Sequence, residues 1–200
     1  MFIQTEDTPN PQSMKFLPGQ AVLGTDASGA PLMGMDFPTP ASAESSLLAR
    51  SLFEVDGVMS VYLGADFVTV TKTEAVEWLH IKPAVLGALA DFLTAGLPVV
   101  NEGAQEAAGK PATSLDDYEG EDRETVEQII ELIETRVRPA VAADGGDIVF
   151  QHFEPRTGVV FLSMRGACSG CPSSTMTLKS GIENMLKHYV PEVVKVEAAA

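Results

Sequence analysis

The stretch from Asn101 to Asp122 decides the layout of this 200-residue chain. It holds seven acidic residues against one lysine, and half of the remainder is alanine and glycine. Such a composition cannot bury enough apolar surface to offset the entropy of ordering it. It is read as a solvated, acidic, flexible linker over 98–121, with one domain over 1–97 and another over 122–200. As a coil it spans about 25 Å, so the domains can reach one another without being locked together. A hydrophobic content of 45% is enough for two small cores.

Both flanks carry mixed helix and strand patterns, which makes the chain α+β. In the second domain Val126, Ile129, Ile130, Ile133 and Val137 recur at helical spacing, with Asp122 as the expected N-cap and Pro139 as the expected stop. Two β-rich runs follow, 148–153 and 159–164, joined by a Gly-containing turn that predicts a hairpin. A second helix is expected over 173–189 and a final strand over 193–196. The order is α-β-β-α-β, with both cysteines just before the second helix. In the first domain, strands are expected over 2–5, 14–17, 58–63 and 67–72, and helices over 43–53 and 78–95. The order α-β-β-α thus occurs in both domains, but only the second contains cysteine.

A formal charge of −15 argues against nucleic acid, whose phosphates require clustered Lys and Arg, and against anionic membranes. No apolar run approaches the ~20 residues that cross a bilayer. The beginning of the chain has neither a basic and greasy secretory pattern nor an Arg-rich import pattern. These features predict a cytosolic protein.

Cys168 and Cys171 are the only thiols. Their C-x-x-C spacing lets both sulfurs face one metal from a single loop, yet supplies half of the thiolates that a zinc tetrahedron or a cubane cluster takes. A second copy of the loop is the obvious source of the rest. Gly166 and Gly170 let backbone approach a bulky core. A helix starting at Pro172 puts its positive end at the loop, which predicts thiolate at Cys171 and also at Cys168. Four readings compete: inert buried thiols, a thioredoxin-like dithiol oxidoreductase, a zinc-bridged dimeric binding protein and a cluster shared by two chains. The oxidoreductase is disfavoured because a hairpin, not a βαβ unit, precedes the cysteines. Zinc and iron remain level on spacing alone.

Other residues receive plainer readings. His152 and His188 lie away from the loop and are expected to be satisfied or exposed. Asp144 and Asp147 flank a double glycine and read as the turn ending a helix. The scattered methionines read as packing. Arg165 and Lys179 are either solvated or available to offset charge near the cysteines. Trp78, Leu86, Leu89 and Phe92 read as the core face of a helix.

The residues Arg138-Pro139, Asp144-Gly145-Gly146-Asp147-Ile148 and Gly166-Ala167-Cys168-Ser169-Gly170-Cys171-Pro172 resemble the NifU-type domain of iron–sulfur scaffold and carrier proteins. The first domain resembles the Nfu N-terminal domain through Thr8-Pro9-Asn10-Pro11, Lys15-Phe16-Leu17-Pro18-Gly19, Asp56-Gly57-Val58 and Asp66-Phe67-Val68-Thr69-Val70-Thr71-Lys72. The resemblance implies a non-enzymatic protein that binds a 4Fe–4S cluster between two subunits through Cys168 and Cys171. It further implies upstream cluster assembly machinery and apo iron–sulfur client proteins as partners; the first domain, which has no cysteine, is expected to recognise the clients. Because the chain begins at the domain itself, a bacterial cytoplasmic member is expected.

Overall fold

A computed structural model describes residues 2–25, 29, 31–101, 114–169 and 172–199, with only the backbone of 172–174. The chain divides into two compact units, Met1–Lys110 and Pro111–Ala200.

The first unit is a five-stranded antiparallel sheet in the order β1-β2-β5-β4-β3. Its strands are β1 (Gln4–Asp7), β2 (Ser13–Leu17), β3 (Met35–Phe37), β4 (Val58–Leu63) and β5 (Val68–Lys72). Strand alternation puts Met14, Phe16, Val61, Leu63, Val68 and Val70 into one core with Leu48 and Leu52 of α1 (Leu47–Phe53). Ile81, Val85, Leu89 and Phe92 of α2 (Trp78–Ala95) complete it. Trp78 packs against this core as expected, and its indole N–H donates to the Pro11 carbonyl at 3.1 Å. The helix expected over 43–53 is broken in two. A 3₁₀ turn (Pro40–Ser45) stops at Ser46, whose extended backbone and side-chain oxygen cap α1 by accepting the Ala49 N–H at 3.1 Å. Strand β3 is an addition: three residues are too few for alternation to register.

The second unit is a three-stranded sheet, β6 (Gly146–Glu154), β7 (Val159–Gly166) and β8 (Lys195–Ala198). β6 and β7 form the expected hairpin, and β8 joins β7 in parallel after α5 (Pro172–Tyr189). A bulge between Phe150 and His152 shifts the pleat, so Phe150 and Phe153, three apart, both reach the core.

The first helix of this unit does not end at Pro139. It starts at Gly120 (α3, Gly120–Leu132), widens into a π turn (Ile133–Val137), and continues as α4 (Arg138–Ala143). In the π turn the Arg138 amide bonds to the Ile133 carbonyl, five residues back. That wider turn relieves the clash a proline ring makes with the preceding turn.

Both ends of the expected linker belong to folded units. Val99 and Val100 pack on the first core, the Ser46 hydroxyl donates to the Val99 carbonyl at 2.7 Å, and the Asn101 amide donates to Ser45 at 2.8 Å. At the other end a 3₁₀ turn (Leu115–Asp117) precedes Tyr118, which is buried in the second core. Residues 102–113 lie outside the described residues. Average composition hid these attachments, because single anchoring residues sit within acidic surroundings.

The Tyr118 phenol oxygen accepts the Phe153 N–H at 2.8 Å and donates to the Phe153 carbonyl at 3.0 Å. His152 Nδ1 lies 2.9 Å from the same oxygen. β6 is an edge strand, so the tyrosine occupies outward backbone groups that would otherwise invite another strand. Tyr118→Phe should therefore destabilise the second unit by about 1–3 kcal/mol through unsatisfied backbone groups. Urea unfolding of wild type and variant, followed by hydrogen exchange at Phe153, measures it; an unchanged midpoint with full protection refutes it.

Candidate functional site

β7 ends at Gly166, and the chain turns through Ala167, Cys168 and Ser169 before α5 begins at Pro172. Hydrogen bonds shape the turn from three sides. The Ala167 amide donates to the Gly145 carbonyl at 3.2 Å, and the Ser169 amide and hydroxyl both donate to the Gly166 carbonyl, at 3.0 and 2.8 Å. From α5, the Thr175 hydroxyl donates to the Cys168 carbonyl at 3.0 Å.

The turn leaving α4 is the floor of this loop. Gly145 has φ +79°, a conformation favouring glycine, while Gly146 opens β6 opposite Gly166. Gly146 has a different reason to lack a side chain. A Cβ there would overlap Cys168 Sγ and stand 2.9 Å from the Arg165 carbonyl oxygen. The Asp-Gly-Gly-Asp run is thus a helix-ending turn, as read from sequence, and also the surface on which the cysteine sits.

Cys168 is 7% exposed. Burial, followed by the negative charges of Asp144 and Asp147, pushes its thiol up to about 12. This runs against the expectation of a thiolate at Cys168: in this conformation burial and the two nearby carboxylates both favour the protonated sulfur. Cys171 and Gly170 lie outside the described residues, so the expected pairing of the two sulfurs does too. Among the described residues, no group of three or more His, Cys, Asp or Glu side chains is placed to hold a metal ion.

Behind the floor, Arg138 grips Asp147 with Nε to Oδ1 at 2.8 Å and Nη2 to Oδ2 at 3.0 Å. Asp147 Oδ1 also accepts the Ile148 N–H at 2.8 Å, and Arg138 Nη1 reaches Glu134 at 2.6 Å. Burial would lower the arginine's affinity for its proton, but the bonds and charges of Asp147 and then Glu134 raise it above its ordinary value. This fork was missed as an interaction because its partners face each other only after the proline has been carried through the helix.

The remaining residues fall as follows. His152 is held by Tyr118 and stacks with Phe161, and His188 packs edge-on to Tyr189. Lys179 is paired with Glu197 at 2.7 Å. Met164 and Met185 pack as expected, whereas Met59 and Met176 are exposed, contrary to the packing reading.

A cysteine loop between a hairpin and a helix, seated on a double-glycine turn, places the second unit among small α+β domains. Two family models match the chain: "Scaffold protein Nfu/NifU N terminal" over residues 3–96 and "NifU-like domain" over residues 129–197. The chain belongs to the Nfu/NifU family. It is 51% identical over 98% of its length to the "NFU1 iron-sulfur cluster scaffold homolog, mitochondrial" of Drosophila sechellia. It is equally identical, over the same share, to "NifU-like protein 4, mitochondrial" of Arabidopsis thaliana. The chain spans 64% and 65% of those relatives' lengths. A solution structure of a NifU-like protein from Saccharomyces cerevisiae is 30% identical, covering 51% of this chain and 86% of that one with a TM-score of 0.42.

These relatives overturn the expected bacterial cytoplasmic location, since both are named mitochondrial. The expectation leaned on where the chain begins, and targeting segments are removable additions that leave a domain's own sequence unmarked.

Two outcomes test the site. Gly146→Ala should lower stability by about 1–3 kcal/mol, because the methyl must displace the cysteine loop, and should speed alkylation of Cys168. Gly181→Ala, where a Cβ meets nothing within 4 Å, should instead raise stability by up to about 1 kcal/mol through helix propensity. Calorimetry and thiol labelling compare the two. For pH, a thiol whose folded value is raised lends stability fully present below the ordinary cysteine value and lost as pH climbs towards about 12. In a Cys171→Ser background the alkylation rate of Cys168 should therefore still be rising above pH 10; a plateau near pH 9 contradicts the burial.

Proposed function

We propose that this chain carries an iron–sulfur cluster as cargo, binding it through Cys168 and Cys171 and passing it to apo iron–sulfur proteins. The observation that carries this reading is the half-set of thiols on a loop whose floor is kept bare by Gly146. The naming of relatives as iron–sulfur cluster scaffolds supports it. The cargo is a 4Fe–4S cluster, and it bridges two copies. A cubane presents four iron corners and one chain owns two thiols, so a two-fold arrangement supplies the count.

The chain's own residues account for holding and letting go. Coordination removes the Cys168 proton outright, so loading exchanges a buried, protonated sulfur for a bound one. The Thr175 and Ser169 hydroxyls, which hold the turn, restore the closed loop when the cargo leaves. No residue turns over a substrate. The first unit recognises clients, and 102–113 links it to the cysteine-bearing unit, which raises the local donor concentration to about millimolar. With no further cysteine to mobilise sulfur, the chain receives its cluster from an assembly system and acts as a shuttle.

Anaerobic reconstitution with iron and sulfide is the test. It should give about two irons per chain, visible absorption and a doubling of mass in solution, all lost in Cys168→Ser and Cys171→Ser. A holoprotein that keeps a full cluster while single-chained overturns the bridging, and uptake of zinc in place of iron overturns the cargo.

A further inference from the structure

We infer that Arg138 is a positioning residue that sets how firmly the cysteine loop holds its cargo, by cancelling the Asp147 charge beneath Cys168. The inference rests on the carrier reading and concerns how tightly that same site holds its cluster.

The geometry singles out this pair. The Asp147 side chain is 6% exposed, and its two oxygens are fully engaged by the arginine fork and the Ile148 amide. It directly follows Gly146, the residue against which Cys168 Sγ rests. A carboxylate so buried keeps a strong field over several ångströms. Asp144 lies at the other end of the same turn, two residues before the glycine on which the cysteine sits. The arginine comes from a different element, α4, where the widened turn before Pro139 lets the helix continue. Its remaining nitrogen is occupied by Glu134. The guanidinium is thus committed to balancing carboxylates and is tied to the floor, not to the cysteine.

A cubane core bound by four thiolates is anionic overall. Its retention must therefore weaken when negative charge is uncovered beneath it and strengthen when that charge is removed. Arg138 stands between these two states. A purely architectural fork makes a different forecast, since breaking it from either side loosens the floor in the same direction.

Opposite signs for the two single variants separate these roles. Full-length wild type, Arg138→Gln, Asp147→Asn, Arg138→Lys and the double variant Arg138→Gln/Asp147→Asn are loaded anaerobically, and iron loss to a chelator is timed. Arg138→Gln should release cluster faster and Asp147→Asn slower, each on the order of tenfold. The double variant and Arg138→Lys should return to within about threefold of wild type. The cluster's midpoint potential should move down in Arg138→Gln and up in Asp147→Asn. Asp147→Asn is nearly isosteric and keeps an oxygen for the Ile148 amide, so it decides the matter even if Arg138→Gln folds poorly. Faster or unchanged release from Asp147→Asn overturns the inference while leaving the carrier reading intact. A wild-type chain that loads no cysteine-dependent cluster overturns the carrier reading, and this inference with it.

Discussion

The absence of one side chain governs the functional half of this molecule. Gly146 must be bare because Cys168 Sγ and the Arg165 carbonyl fill the space a Cβ would need. That close approach lets the loop after β7 fold back on the turn before β6, with Ala167 bonded to Gly145 and the Gly146–Gly166 pair closing the hairpin. The register of β6 on β7 runs from that end to Glu154 opposite Val159, with a bulge after Phe150. The thiol's position and its burial both go with this contact.

Anchoring of the connecting segment obeys a similar economy. Ser46 caps a helix with its oxygen while its hydroxyl hydrogen holds Val99, and Asn101 bonds Ser45 and Glu44. On the far side one phenol holds the edge of β6. Each unit therefore ties down its own end of the link with a few hydrogen bonds. Residues 102–113, between these anchors, lie outside the described residues.

Much of this architecture was legible in the sequence. The spacing of Val126, Ile129, Ile133 and Val137, and the alternation along 159–164, predicted the helix and strand that the structure contains. The hairpin–loop–helix order around Cys168 followed from turn residues alone. Three things were not legible, for separate physical reasons. Pro139 ends most helices, and only a π turn, which has no composition signature, carries this one onward. Tyr118 sits in an acidic run, so its burial depends on β6, which is distant in sequence. The upward push on the Cys168 thiol comes first from burial, which could not be known until the floor was in place.

Under the carrier role proposed above, the burial of this sulfur has a use. A thiolate held permanently at the surface of a single chain is open to oxidation and to stray metals. A thiol buried against glycine, as Cys168 is, is less open to both. Sealing also lowers the net affinity for cargo, because loading must displace a proton and uncover the sulfur before any bond to iron repays it. A storage protein would gain nothing from such a penalty. Under the carrier role proposed above, a cluster that must be surrendered is served by such a penalty, because the bonds that hold the cysteine loop compete with it.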